Sequence, residues 1–446
     1  MPKAAYALLA MLAVSACATV ATPSNSIDSS KAQSGPPQIL PEKQATPVEV
    51  KPPIRPRLPA PISALPVGPV PGAADLDPLT FSAASFETLP DWSTTDVAAA
   101  RRAFLRSCTI MQQRPIQDML SSAVAYSGRV GDWLQACSLA QDSSIDDRTF
   151  WENSFQAWRV ETKSTQIGRL TGYYEPIMTV SWAKTPVYSE PIQARPSDLI
   201  EIDLGKFDPS LRNRTIVARL DKGMVVPYYS RAQITEATAP VLAWGEPAEV
   251  LSLQVQGSGR LQFQDGLQMR AAFAAHNGHR FGSNAQELIR RGILAPGGAS
   301  MDAIKTWFKS ADPKVAREVL NANPRTVFFK LEPIRDPSDG PKGAQQVPLE
   351  PGGSVAIDPT YHAYGVPIFL AADAPRVTLS ADATLRRLVI AQDTGGAIKG
   401  PIRGDLYWGT GPEAGLSAGR INHDVRFWVL LPRGLTPSPL TVAPPS

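Results

Sequence analysis

Asp393 and Asp405 lie at the head and in the middle of DTGGAIKGPIRGDLYWGTGPEAGLSAG, residues 393–419, a segment too polar and too rich in glycine to be ordinary core. A carboxylate at a strand end or in a tight turn can be aimed at a reacting bond. Burial or a neighbouring charge can then tune its pKa for proton transfer. The apolar Leu406, Tyr407 and Trp408 that follow Asp405 suit a pocket that raises such a pKa. Lys399 can hydrogen-bond a ligand, although a position very close to Asp405 would work against that rise. Alone, the stretch reads as a solvated surface loop. Its flanks argue otherwise, because residues 388–391 enter it and residues 427–431 leave it as apolar runs typical of buried strands.

Other residues suit a carbohydrate groove. Gly172-Tyr173-Tyr174-Glu175-Pro176 ends a strand with two aromatics and an acid. Leu253-Gln254-Val255-Gln256 alternates apolar and amide residues, which as a strand would put Gln254 and Gln256 on one face ahead of a turn at Gly257 and Ser258. Planar amides and aromatic faces together match hydroxyl-rich rings. Taken singly, each motif is also an ordinary strand with a solvated polar face. His276-Asn277-Gly278-His279 suggests a metal, but no third acidic or sulfur ligand stands at useful spacing, so no metal is expected. Asp393-Thr394-Gly395 matches the aspartic-protease signature, whose chemistry needs two carboxylates sharing a proton, and no second copy of it occurs here.

These residues sit in a chain of 446, 43% of it apolar, which is enough for two cores. A net charge of +3 gives no case for nucleic acid. At the start, Lys3, a short apolar run to Ala13 and Val14-Ser15-Ala16-Cys17 resemble an export signal ending in a lipobox, with Cys17 as the lipidated residue. Ala18 after it favours the outer membrane. Residues 18–79 are proline-rich and read as an extended tether, and 435–446 as a similar tail. Helical periodicity covers 98–111, 130–140 and 147–160, and short β-rich runs dominate from 168 onward. The fold expected is α+β, mainly β, built on barrels. Cys108 and Cys137 fall in the first two helices; in an oxidising compartment they either pair or remain buried thiols.

Taken in order, GYYEP, VARLDKGMVVPYYSRAQI, LAWGEPAEVLSLQVQGSGR, AAHNGHRF, NPRTVFF and DTGGAIKGPIRGDLYWGTGPEAG resemble the lytic murein transglycosylase A family over residues 168–431. The resemblance implies a double-psi β-barrel domain (80–190 and 331–434) interrupted by a second barrel-like domain (191–330), with a peptidoglycan groove between them. It also implies a 3D module whose three aspartates are Asp358, Asp393 and Asp405. Asp405 matches the catalytic residue, with Asp393 in support. Tyr173, Tyr174, Glu175, Gln254, Gln256, Gly257, Ser258, Lys399 and Asp358 become substrate-binding candidates. His362-Ala363-Tyr364-Gly365 departs from the family's usual turn after Asp358. The implied reaction cleaves the bond between N-acetylmuramic acid and N-acetylglucosamine without water, by a monomer with no cofactor, acting on glycan strands and held to the membrane by its lipid. Three other readings stay open: a catalytically silent peptidoglycan binder, a muramidase using Asp393 or Glu413 as second carboxylate, and a protease built on Asp393.

The lipobox reading has a direct test. Cys17→Ser is expected to shift the protein from the membrane fraction to the soluble periplasmic fraction, or to leave it unprocessed. Palmitate labelling that survives the substitution would exclude Cys17 as the anchor.

Overall fold

In the computed structural model the described residues are 78–208, 211, 214–375 and 384–437. The expected signal with Cys17, nearly all of the 18–79 tether and the tail beyond 437 lie outside them. The described chain begins with β1 (Leu79–Ala84), α1 (Ala98–Met111), α2 (Val130–Ala140) and α3 (Asp147–Ser154). In α1, Ala100, Phe104, Cys108 and Met111 recur at three-to-four spacing and are buried. Buried Arg101 points the other way round the same helix. Its guanidinium donates to the carbonyls of Ala140, Ile145 and Asp142 and to the Asp147 carboxylate, which ties α1 to the end of α2. Cys108 and Cys137 are joined in a disulfide, so α1 and α2 are also linked covalently.

The helix expected over 147–160 stops at Ser154, and Phe155 opens β2 (Phe155–Thr162). Its aromatic residues satisfy a helical period and a strand period at once. Pairing decides, because β2 lies between β1 and the last strand of the chain and hydrogen-bonds both.

After β3 (Gly168–Glu175) the chain leaves this region. It forms β4 (Ile177–Ser181), β5 (Glu190–Gln193), β6 (Ile200–Asp203), β7 (Thr215–Asp221), β8 (Met224–Pro227) and β9 (Val241–Gly245). Next come α4 (Pro247–Gln256), β10 (Gly259–Phe263), β11 (Gln268–His276), α5 (Asn284–Arg290), α6 (Met301–Ser310), α7 (Pro313–Asn321) and β12 (Val327–Pro333). It then returns as β13 (Ser354–Ala356), β14 (Pro367–Pro375), β15 (Leu385–Asp393), β16 (Arg403–Thr410), α8 (Pro412–Gly419) and β17 (Asn422–Pro432).

The alternation at 253–256 is helical, not extended, which corrects the strand expected there. Pro247 at the first position and Gly257 at φ +81 after the last bracket one helix. Val250, Leu251 and Leu253 are its buried face, and the coincidence of Leu251, Leu253 and Val255 mimicked a period of two.

The first sheet has the order β1-β2-β17-β14-β15-β13-β16-β3, and β17 also pairs with β3. The run from β17 round to β3 therefore closes into a barrel-like ring whose interior holds Val355, Leu370, Val389, Leu406 and Phe427. A second sheet has the order β12-β11-β10-β4-β9-β5, and β6, β7 and β8 form a third. The second sheet takes up the chain from Ile177, earlier than the boundary at 191.

A disulfide closing a loop of 29 residues should stabilise the protein by about 3–4 kcal/mol in the chain-entropy picture. The Cys108→Ala, Cys137→Ala double variant is expected to melt at a lower temperature than the oxidised wild type. Wild type treated with reductant should melt alongside it. Coincident melting of oxidised and reduced wild type would contradict this.

Candidate active site

β16 lies parallel to β3 with Asp405 opposite Thr171, and antiparallel to β13 with Asp405 opposite Ala356. Strand alternation sends Gly404 and Leu406 into the barrel and leaves Arg403 and Asp405 on the other face. Thr171 donates its hydroxyl to Asp405 Oδ1 at 2.5 Å, and Arg403 Nη2 donates to the Thr171 hydroxyl at 2.8 Å. Burial pushes the Asp405 carboxyl up to about 6. The Thr171 hydrogen bond and the charges of Arg403 and Arg169 pull against that rise, and the nearby Asp393 adds to it.

Asp393 ends β15. It accepts from the Tyr173 hydroxyl at 2.7 Å and from the backbone N–H of Ala344 at 3.0 Å. Burial raises its pKa, while these donors and the Thr394 amide oppose the rise. Tyr173, stacked obliquely on Tyr407 at 5.3 Å, is held neutral, first by burial and then by the Asp393 charge. The two carboxyls are thus supported differently. One is fixed by a hydroxyl relay, the other by a phenol and an amide.

Asp358 is buried and accepts from the backbone N–H groups of Gly400 at 2.9 Å and Thr360 at 3.1 Å. Gly400 sits at φ +117, where a side chain would be strained, so Asp358 pins the turn between β15 and β16. Exposed Lys399 pairs with Asp358 at 3.8 Å rather than with Asp405. His362, where the family's usual turn is altered, anchors the same loop. Its Nε2 donates to the Pro401 carbonyl at 2.7 Å and its Nδ1 accepts from Tyr126 at 2.9 Å. That carbonyl can only accept, which fixes the tautomer. Burial pushes the imidazole down to about 4.

Three groove candidates have other duties. Glu175 is fully buried, bonded to Arg260 Nε at 2.9 Å, Arg270 Nε at 2.6 Å and the Thr410 hydroxyl at 2.9 Å. It joins the two sheets and cannot meet a ligand. Gln254 exchanges hydrogen bonds with the backbone of Val327 and accepts from Arg231. Gln256 accepts from the backbone N–H of Tyr174. The Tyr174 ring lies over Gly415 of α8, where a Cβ would come within 2.9 Å of it. Gly257, at the end of α4, faces open space, and Ser258 follows it half-buried. His276 accepts from Gly278, His279 bonds the Tyr228 carbonyl, and among the described residues no cluster could hold a metal.

Thr171, Arg403 and His362 are the residues that sequence reasoning missed. Period-two alternation back from Tyr173 places Thr171 beside it on β3, and that is the one signal that could have found it. A cavity of about 720 Å³ lies at the C-terminal end of α1, lined by Met111, Arg114, Gln345, His362 and Tyr364 among others. It includes neither Asp405 nor Asp393. No second lobe repeats Asp393-Thr394-Gly395 among the described residues.

Two family models match, the MltA specific insert domain over residues 169–330 and the 3D domain over 353–431. Membrane-bound lytic murein transglycosylase A of Escherichia coli (strain K12) is 31% identical over 306 residues, 68% of this chain and 74% of that protein. The crystal structure of membrane-bound lytic murein transglycosylase from Agrobacterium tumefaciens superposes with a TM-score of 0.66 at 31% identity, covering 79% of this chain and 98% of that one. The E. coli MltA structure with bound chitohexaose gives a TM-score of 0.57 at 26% identity, over 79% and 94%.

Replacing Glu175 by Gln leaves Arg260 and Arg270 buried without their counter-charge. The expected loss is about 3–5 kcal/mol of unfolding free energy, measured by denaturant titration. A variant within about 1 kcal/mol of wild type would mean that the clamp is not what holds the sheets together.

Proposed function

The chain belongs to the membrane-bound lytic murein transglycosylase A family, and we propose that Asp405 is the single acid and base of its reaction. It is a peptidoglycan lytic transglycosylase, acting on the β-1,4 bond between N-acetylmuramic acid and N-acetylglucosamine. The observation that carries the assignment is the Asp405 carboxyl itself, raised to about 6 by burial with one oxygen fixed by Thr171. With Oδ1 occupied as acceptor, Oδ2 holds the proton.

In the first step Oδ2–H protonates the glycosidic oxygen as the C1–O bond breaks, and N-acetylglucosamine leaves with a free hydroxyl. The 6-hydroxyl of the muramyl unit then attacks C1. Its proton passes to the Asp405 carboxylate, which restores the acid and leaves a 1,6-anhydro ring. A hydrolase needs a second carboxylate to activate water or to form a glycosyl-enzyme. Here the nucleophile is part of the substrate, so tethering supplies much of the rate. Asp393, engaged by Tyr173 and Ala344, is the electrostatic support that helps keep Asp405 protonated. Tyr174 and the open turn at Gly257 and Ser258 are the groove positions that still suit glycan. We place the enzyme as a monomer on the outer membrane, anchored at Cys17 and facing the periplasm. Its relatives are described as membrane-bound, and among the described residues no helix is long and apolar enough to cross a membrane.

Asp405→Asn is expected to lower the release of anhydromuropeptides from purified sacculi by about 10²–10⁴-fold or more, read by mass spectrometry. Asp393→Asn should slow the reaction and leave turnover measurable. The reverse ranking, or products with reducing ends, would sink the assignment. The same Asp405 variant should gain stability. A folded-state pKa above the ordinary value of 3.8 means that the native protein binds the proton more tightly. Stability is therefore lost as pH rises from about 4 through about 6. Asparagine removes that loss, so the gain should be about 3 kcal/mol at neutral pH and fall away near pH 4.

The acid must be protonated in the free enzyme, so kcat/KM should fall as pH rises past about 6. Thr171→Val removes a hydrogen bond that favours the charged form, and the falling limb should move to higher pH. A limb that stays in place would separate Thr171 from Asp405.

A further inference from the structure

Arg325 occupies the short link between α7 and β12, and the backbone on both sides of it is pinned. Its N–H donates to Asn323 Oδ1 at 3.1 Å, and its carbonyl accepts from Arg231 Nη2 at 2.8 Å. Next to it, the Thr326 N–H donates to Asn277 Oδ1 at 2.9 Å. From this fixed base the half-buried side chain reaches across to the first sheet and lies against Gly396, in the turn that follows Asp393. A Cβ built on Gly396 would stand 3.4 Å from the guanidinium carbon, 3.5 Å from Nη2 and 3.6 Å from Nε. On the opposite edge, Nη1 donates to the His279 carbonyl at 3.1 Å. The guanidinium carbon is the nearest of the three, so the turn packs on the flat face of the fork and not on its edge. The Nε and Nη2 edge meets no acceptor among the described residues, and no carboxylate pairs with Arg325 there. Asp393, the acid at the head of the same turn, is already engaged by Tyr173 and Ala344. A rigidly held guanidinium with an open two-donor edge is matched to a carboxylate.

We propose that Arg325 is a specificity residue whose Nε and Nη2 bind a carboxylate of the muramyl unit, on its lactyl arm or on the peptide attached there. The inference rests on the transglycosylase reading and goes beyond it. It names the feature by which the site separates peptidoglycan from a glycan of N-acetylglucosamine alone.

The test measures dissociation constants in the Asp405→Asn background, where substrate is not consumed, with and without Arg325→Gln. Three probes are compared. Chitohexaose has no carboxylate, glycan strands stripped of peptide expose the lactyl carboxylate, and peptide-bearing strands carry the peptide carboxylates. Arg325→Gln should weaken binding of at least one carboxylate-bearing probe by about 10- to 100-fold. Chitohexaose should stay within about twofold, which also shows that the groove is folded. Loss on the stripped strands assigns the lactyl arm, and loss only on the peptide-bearing strands assigns the peptide. Arg325→Lys should restore part of the affinity, since it keeps the charge and loses the fork. Unchanged affinity for both carboxylate-bearing probes overturns the proposal. So does an equal loss on chitohexaose, which would make Arg325 a structural tie between the sheets. Wild-type release of anhydro products is scored alongside, so that a failure of the reaction itself is seen separately.

Discussion

The carboxylate of Glu175 between Arg260 and Arg270 is the contact on which the two sheets depend. It stands at the end of β3, one residue before the chain turns at Pro176 into the second sheet, and both arginines come from that sheet. The arginines also hold the carbonyls of Pro337 and Asp339, where the chain comes back. One ion triad therefore grips the outgoing and the returning strand together. Taking three charges out of water is expensive, and a hydrophobic contact of the same size would often be at least as stable. The charged version fixes direction as well as contact, because two guanidinium forks on one carboxylate leave little freedom to slide. That directional hold keeps the two sheets from sliding against each other.

β3 carries this hold straight to the chemistry. Thr171, Tyr173 and Glu175 alternate along one face of the strand and bond Asp405, Asp393 and the arginine pair in turn. Orientation at the clamp is thereby translated, two residues at a time, into orientation at each carboxyl. Rigidity also keeps the Asp405 carboxyl out of water, which holds its pKa above the ordinary value. A looser site would admit water and relax the carboxyl toward its ordinary value. The raised pKa is a local instability of the folded protein at neutral pH.

The parts of this arrangement legible in the sequence are those with a chemical signature. Asp393 and Asp405 stood out because polar, glycine-rich chain between apolar strands has few uses other than a site. Strand positions after 168 were readable for a similar reason, since β-branched runs and turns punctuate them. Thr171 has no such signature; a threonine in a strand is unremarkable until its partner 234 residues away is known. Glu175 looked like a groove acid because its arginines are 85 and 95 residues distant, and nothing local distinguishes a clamp from an exposed end. Gln254 and Gln256 were misplaced because four residues cannot tell a helix from a strand when apolar positions fit both periods. Pro247 and Gly257, read together, hold the information that would have settled it. At Phe155 even that was missing, and only tertiary pairing chose between the alternatives.

The closure of the first sheet has a consequence in time. Among the described strands β3 pairs with β16 and β17, and the whole second sheet lies between them in sequence. Pairings of such long separation form late, after the entropy of closing the intervening loop has been overcome. Until β16 docks, Asp405 has no Thr171 and no buried environment, so it titrates as an ordinary acid. The surroundings of Asp405 are thus completed in one step, when β16 and β17 lock against β3.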